Sequence, residues 1–185
     1  MTTPDAPYPD SETPEEIRWQ GRFITAKQRG RWEYVGRARG IRAAVIVAVD
    51  DGHVLLVEQF RVPLGRNCLE LPAGLIGDEA GSESETVEAS ATRELEEETG
   101  YRPDRIEVIG EFASSPGMVS ETFSLVRAIG LTRVGEGGGV PGENITVHRV
   151  PLADIADFVA AKRADGTIMD VKLLTLLGAG ILAGA

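Results

Sequence analysis

The chain has one cysteine, Cys68, among 185 residues. A single thiol closes no internal disulfide, so the fold must rest on its core, and the usage fits a reducing, cytoplasmic setting. Cys68 stands in an apolar strand pattern, where packing is its expected role. Histidine is almost as scarce: His53 and His148 lie far apart without partner cysteines, which argues against a zinc site. Positive charge is also short. Nineteen Lys and Arg face 29 Asp and Glu, a net charge of −10, and so acidic a chain lacks the basic face that a nucleic-acid partner requires. Long apolar runs are missing. The tail 173–185 is too short to span a bilayer and carries Gly178, Gly180 and Gly184, so it reads as a core or interface helix, with no membrane partner expected. No basic-then-apolar leader pattern occupies the first residues, in keeping with the cytoplasmic expectation.

What is present is acid in a pattern. Residues 93–101 read Arg-Glu-Leu-Glu-Glu-Glu-Thr-Gly-Tyr. On a helix, Glu94, Glu97 and Glu98 stand at i, i+3 and i+4 and share a face, while Glu96 projects away to solvent. Like charges that close repel, and a cation between them turns the repulsion into attraction. Hard carboxylate oxygens suit Mg²⁺, with Mn²⁺ as the alternative. A solvated acidic stripe is the competing reading of any such run. The surroundings weigh against it: Leu-Pro-Ala-Gly at 71–74 ends a strand pattern, Glu85 precedes Arg93 by eight residues, and Gly100 closes the run.

The order of elements is legible in outline. Residues 1–16 hold five acids, four prolines and no base, which predicts a disordered tail. Strands are expected at 19–26 and 32–39, joined by a polar turn at 27–31, then at 43–49 and 53–60 around the hairpin signal Asp50-Asp51-Gly52. Further strands are expected at 68–71, 106–112, 122–129 and 145–150. A Gly-rich loop at 133–142 is expected to be mobile. The acidic run belongs to a helix that starts at Thr86, with Ser82 as a second candidate cap, and stops at Gly100 in the left-handed conformation. Helices at 152–163 and 169–182, broken at Asp165-Gly166, complete the chain.

These residues resemble the box of the Nudix hydrolase family: Gly, five residues, Glu, seven residues, then Arg-Glu-apolar-x-Glu-Glu-x-Gly-apolar. Every position from Glu85 to Tyr101 matches. Upstream, ten residues rather than five separate Gly74 from Glu85. The surplus falls in the Gly/Ser/acidic stretch 77–84, and a loop tolerates it because closure entropy rises only logarithmically with length. The resemblance implies an α+β fold, the Nudix α/β/α sandwich with a mixed central sheet, over residues 41–185. It is preceded by a small N-terminal β segment at 17–40. The implied chemistry is Mg²⁺-dependent hydrolysis of a diphosphate. Glu94 and Glu98 are the first-choice ligands, Glu97 the third, and the main-chain carbonyl at the Ala73 position a further one. Arg93 and Glu85 are expected to orient the cluster.

A narrower resemblance is to ADP-ribose pyrophosphatases. It is carried by Trp32-Glu33-Tyr34-Val35-Gly36-Arg37, Glu58-Gln59-Phe60-Arg61, Glu70-Leu71-Pro72-Ala73-Gly74, Ser115-Pro116-Gly117 and Glu143-Asn144-Ile145-Thr146-Val147-His148. Pro116 stands sixteen residues after Gly100, a placement associated with that subgroup. The likeness implies hydrolysis of ADP-ribose to AMP and ribose 5-phosphate, with GDP-mannose or ADP-glucose as alternatives. A non-catalytic nucleotide-sensing module is the rival from another class. Trp32, and with it Phe23, would stack on the base, although packing in a hairpin serves a tryptophan equally. Arg37 and Arg61 would contact phosphate, Arg61 being the better placed for a bidentate contact. Glu70 and Glu121 would bind substrate, Glu121 at the terminal ribose. Glu143 would bind metal or activate water, which leaves Glu97, Glu121 and Glu143 as candidate bases. In that subgroup the N-terminal strands cross to a partner, which implies a homodimer.

Overall fold

The computed structural model describes residues 8–38, 41–77 and 85–183, with the side chains of 179–183 outside that description. Three strands, β1 (Glu15–Gln20), β2 (Ile24–Arg29) and β3 (Trp32–Arg37), form a separate antiparallel sheet in that order. Two strands were expected here. The first expected strand divides because the chain reverses at Gly21, whose N–H donates to Ile24 O at 2.9 Å. β1 begins at Glu15, inside the segment expected to be disordered, and residues 8–14 form turns ahead of it. Residues 1–7 of that segment, and Arg39 of the second expected strand, lie outside the described residues.

The main sheet is built on β4 (Arg42–Asp50) and β5 (His53–Arg61). Between them Asp51 and Gly52 both take positive φ, 46° and 69°, as a two-residue hairpin of matching twist requires. Alternation along β4 sends Ala44, Ile46 and Ala48 to one core and Val45 to the other. Both faces are therefore covered, and the strand reads as an unbroken apolar run. The remaining strands are β6 (Arg66–Glu70), β7 (Ala73–Ile76), β8 (Tyr101–Ala113), β9 (Thr122–Arg133), β10 (Thr146–Pro151) and β11 (Ile168–Met169). The sheet runs β11-β6-β5-β4-β9-β8, with β10 on β5 and β7 on β4. β4 pairs parallel with β9 and β11 parallel with β6, and the other pairs are antiparallel.

Helix α1 (Val87–Thr99) covers one face, burying Ala91 and Leu95 against Ile46, Leu55 and Val126. Removing the Leu95 side chain from water contributes about 2 kcal/mol. Helices α2 (Ile155–Ala164) and α3 (Leu174–Ala183) cover the other face through Ile155, Val159, Leu176 and Leu177. This is the expected α+β arrangement of helices on both sides of a mixed sheet.

One feature of the pairing makes the site. β4 and β5 are bonded at only two positions, Val49 with Val54 and Asp50 with His53, and then diverge. β7, a strand the sequence did not signal, takes the vacated edge of β4 from Arg42 to Val45. β10 and β6 take the two edges of β5. A cleft opens where the two central strands part.

Candidate functional site

The cleft has a volume of about 380 Å³ and draws on both halves of the sheet. β5 contributes Gln59 and Arg61, β6 Glu70, β7 Ala73 and Gly74, and α1 Glu94 and Glu98. Arg37 of β3 and Glu121 reach it from the N-terminal side, and Glu143 from the loop before β10. These residues come from seven segments between positions 37 and 143 and meet in one concavity.

Local chemistry fixes α1 over it. Thr86 is extended, and its Oγ1 accepts from Ala89 N at 3.2 Å, so the expected cap is the one used. The alternative start at Ser82, with most of the loop 77–84, lies outside the described residues. Gly100 ends the helix at φ 76°, donating its N–H to Glu96 O at 2.9 Å. Ser90 ties the helix to β7 by donating to Leu75 O at 3.1 Å. The helix and β7 approach so closely that a Cβ on Gly74 would stand 1.9 Å from Glu94 Cγ. Only a residue without a side chain fits that position while Glu94 stays in place.

Glu98 is 8% exposed and accepts from Ala73 N at 3.0 Å. Burial pushes its carboxyl up to about 8; the Ala73 N–H opposes this, and the charges of Glu94 and Glu143 add to it. Arg93 holds the neighbouring acids, donating to Glu85 at 3.2 and 3.4 Å, to Glu94 at 2.9 Å and to Glu97 at 3.5 Å. Burial works against the charge of Arg93, but Glu85 and Glu94 outweigh it and raise its pKa. Glu85 also accepts from Gly77 N at 3.4 Å, which ties the loop end to the cluster. Glu96 pairs with Arg102 at 2.8 Å on the outer side, as its helical position predicts.

The structure does not gather every expected ligand. Glu97 lines a neighbouring groove with Glu88, Thr92 and Glu96 and not the cleft. Among the described residues no three acidic side chains stand close enough, as placed, to cage an ion. The reason lies in the contacts above: Arg93 engages Glu94 and Glu97, while Glu98 turns to the Ala73 amide. The donor set nevertheless fits a hard divalent cation. Glu94 and Glu98 share the cleft with Glu143, and a buried carboxyl pushed to about 8 is one whose charge lacks compensation.

The expected phosphate contacts are engaged within the protein. Arg61 donates to both oxygens of Glu70, at 2.6 and 3.0 Å, and this pairing raises the arginine's pKa against the effect of burial. Arg37 is paired with Glu121. Trp32 and Phe23 stand apart from the cleft. Trp32, half exposed, lines a separate hollow with Tyr34, Pro116 and Gly117. Phe23 is exposed beneath the Arg22 guanidinium, 4.9 Å from its ring centre.

The Gly-rich loop, expected to be mobile, is fastened to the end of α1. Gly138 N donates to Glu98 O at 2.8 Å, Gly139 N to Glu97 O at 3.0 Å and Val134 N to Gly100 O at 2.8 Å. These bonds satisfy carbonyls that a helix C-terminus leaves open. Lys172 and Phe123 are among the cleft residues that escaped the sequence reading. Lys172, 2.6 Å from Asp170, enters from the turn between β11 and α3, and Phe123 lies 5.6 Å from its ammonium. The Asp170-x-Lys172 spacing, with Asp170 capping that turn, is a signal that could have marked it.

Comparison with known proteins bears on the family and the fold. The model of the NUDIX domain matches residues 38–170. The chain belongs to the Nudix hydrolase family. It is 37% identical over 120 residues to an ADP-ribose pyrophosphatase of Bacillus subtilis, covering 64% of this chain and 62% of that one. It is 34% identical over 148 residues to a GDP-mannose pyrophosphatase of Cronobacter sakazakii, covering 75% and 72%. It is also 32% identical over 136 residues to a methanol dehydrogenase activator of Bacillus methanolicus, covering 72% and 71%. A crystal structure of an ADP compounds hydrolase superposes with a TM-score of 0.63 over 93% of this chain and 94% of that one, at 20% identity, a likeness of fold.

Proposed function

We propose that this Nudix pyrophosphohydrolase splits the diphosphate of a nucleoside diphosphate sugar, with ADP-ribose as the substrate and AMP and ribose 5-phosphate as products. The observation that carries the reading is the meeting of Glu94, Glu98 and Glu143 with Arg37 and Arg61 in one cleft. Relatives named for ADP-ribose and for GDP-mannose stand at similar identity, 37% and 34%, so the choice of sugar nucleotide rests on the narrower segments around Trp32, Arg37 and Glu121.

Glu94 and Glu98, with the Ala73 carbonyl and Glu97 or Glu143, would hold Mg²⁺ or Mn²⁺. Such a cation, when bound, neutralises phosphate charge and acidifies water. Arg61, oriented by Glu70, presents a guanidinium to the phosphates, and Arg37 with Glu121 faces the sugar end. Glu143 is the group that takes the proton from the attacking water. Glu97 lies off the cleft and Glu121 is engaged with Arg37, whereas Glu143 lines the cleft from a loop end. Its Oε2 accepts from Val140 N at 2.9 Å, a contact that can be exchanged for water.

Ile17, Trp19 and Trp32 on the N-terminal sheet, and Phe23 in the turn between β1 and β2, are each at least half exposed, more apolar surface than a free sheet carries at no cost. A second copy of the chain is the proposed cover, bringing Trp32 and Phe23 toward the partner's cleft. Light scattering tests this: a dimer is expected, and an active monomer at micromolar concentration refutes it. For the reaction, a panel of sugar nucleotides is compared by kcat/KM in ¹⁸O-labelled water with Mg²⁺. ADP-ribose is expected to lead, with one product phosphate labelled. Binding without turnover across the panel would instead indicate a sensor.

A further inference from the structure

Glu58 and Gln59 are neighbours on β5, and neighbours on a strand point to opposite faces. Glu58 turns away from the cleft and is 8% exposed. It accepts from Asn67 Nδ2 at 2.9 Å, from Lys162 Nζ at 2.6 Å and from His148 Nε2 at 2.9 Å, joining β6, α2 and β10 to β5. Gln59 turns into the cleft, where its Nε2 donates to the main-chain carbonyl of Glu143 at 3.0 Å. One dipeptide therefore grips β10 and the segment entering it from both sides of the sheet. The register agrees, since Thr146 pairs opposite Glu58.

The loop that carries Glu143 has its other anchorage on α1, through Gly138 and Gly139, and closes on itself where Ile145 N donates to Gly138 O at 3.1 Å. Its helix end is thus tied to the element that bears Glu94 and Glu98, and its strand end is tied by Gln59. An uncharged amide suits this position. A lysine there would compete for the cleft carboxylates, and a carboxylate would repel both the Glu143 carbonyl and the acids beside it. We infer that Gln59 is a positioning residue: its side-chain amide sets where the loop delivers the Glu143 carboxylate and so governs turnover more than substrate affinity. This rests on the reading of Glu143 as the group that takes the proton from water.

The test replaces Gln59 by Leu, which keeps the bulk and removes the donor, and by Asn, which shortens the reach by one methylene. Both variants are expected to lower kcat about tenfold while KM changes less than about threefold. In a Glu143→Gln background, Gln59→Leu is expected to cost nothing further, because its effect passes through the carboxylate already removed. Amide hydrogen exchange without substrate or metal gives a readout independent of activity. Amides of residues 138–145 should exchange roughly tenfold faster in Gln59→Leu, while those of β4 keep their rates. Unchanged exchange overturns the inference. So does a full additional loss of kcat in the Glu143→Gln background, which leaves the role of Glu143 standing. Near-normal turnover by Glu143→Gln alone removes that role and the inference with it.

Discussion

Glu98 is a buried acid whose stability and chemical roles oppose each other, and Glu98→Gln separates them. Its carboxyl lies at about 8 in the folded protein against 4.5 for an unperturbed glutamate. Between those values the folded state holds a proton that the unfolded chain has released. Metal-free stability therefore falls as pH rises from 4.5 to 8, and the favourable contribution of the protonated form is present in full only below 4.5. At pH 7.5 the interval above 4.5 is about three decades, or about 4 kcal/mol of lost stability. Glutamine escapes that loss and can still accept from Ala73 N, but it must bury an NH₂ group at a cost of about 1–2 kcal/mol.

The variant is thus expected to be more stable than the native chain by about 2–3 kcal/mol at pH 7.5, a rise in Tm of roughly 8 °C for a domain of this size. At pH 5 the advantage should vanish or reverse by about 1 kcal/mol. Thermal unfolding followed by circular dichroism in a chelating buffer, from pH 5 to 8.5, reads this crossover directly. Added Mg²⁺ should raise the Tm of the native chain at pH 7.5 and leave the variant nearly unmoved. Turnover should meanwhile drop by orders of magnitude. Parallel Tm curves for the two proteins across the pH range would refute the argument, because Glu98 would then not be an uncompensated buried charge.

Two further outcomes follow from the same geometry. Lys162→Met removes one of the donors that, against burial, hold Glu58 down at about 2, and should cost about 2–3 kcal/mol in urea unfolding at pH 7. Glu58 contributes stability above pH 4.5 that is lost as pH falls toward 2, so the variant should show a shallower acid-induced loss over that window. Gly74→Ala places a methyl where Glu94 Cγ now lies, at 1.9 Å, and must displace that side chain. Calorimetry should show Mg²⁺ affinity at least about tenfold weaker, with Tm changed by only a few degrees. Unaltered affinity would show that Glu94 is no ligand.

The parts of this molecule legible in the sequence are those whose determinants are local. Thr86 caps and Gly100 stops α1 because both act within one turn of the helix. The Asp51-Gly52 reversal was legible for the same reason, as was the break after α2, where Gly166 takes φ 85°. The pairings that shape the cleft were not. Arg37 meets Glu121 across 84 positions, and Arg61 meets Glu70 across a strand turn; neither pairing leaves a local signal in the sequence. β7 was invisible because four residues after a proline carry almost no period, and its existence depends on β5 leaving β4 after two pairs.

The acidic run shows where local reasoning stops. Helical steps of about 100° put Glu98 about 40° to one side of Glu94 and Glu97 about 60° to the other, so all three share a broad face. Periodicity cannot say which flank of that face a neighbouring strand will border. β7 approaches as closely as Gly74 permits and frames the side bearing Glu94 and Glu98. Glu97 is left to the adjoining groove, and Glu96 to Arg102. The three acids that share that face therefore divide into two that line the cleft and one that does not. A strand of four residues makes that division, which is why the acidic face was legible in the sequence while the placing of its members required the fold.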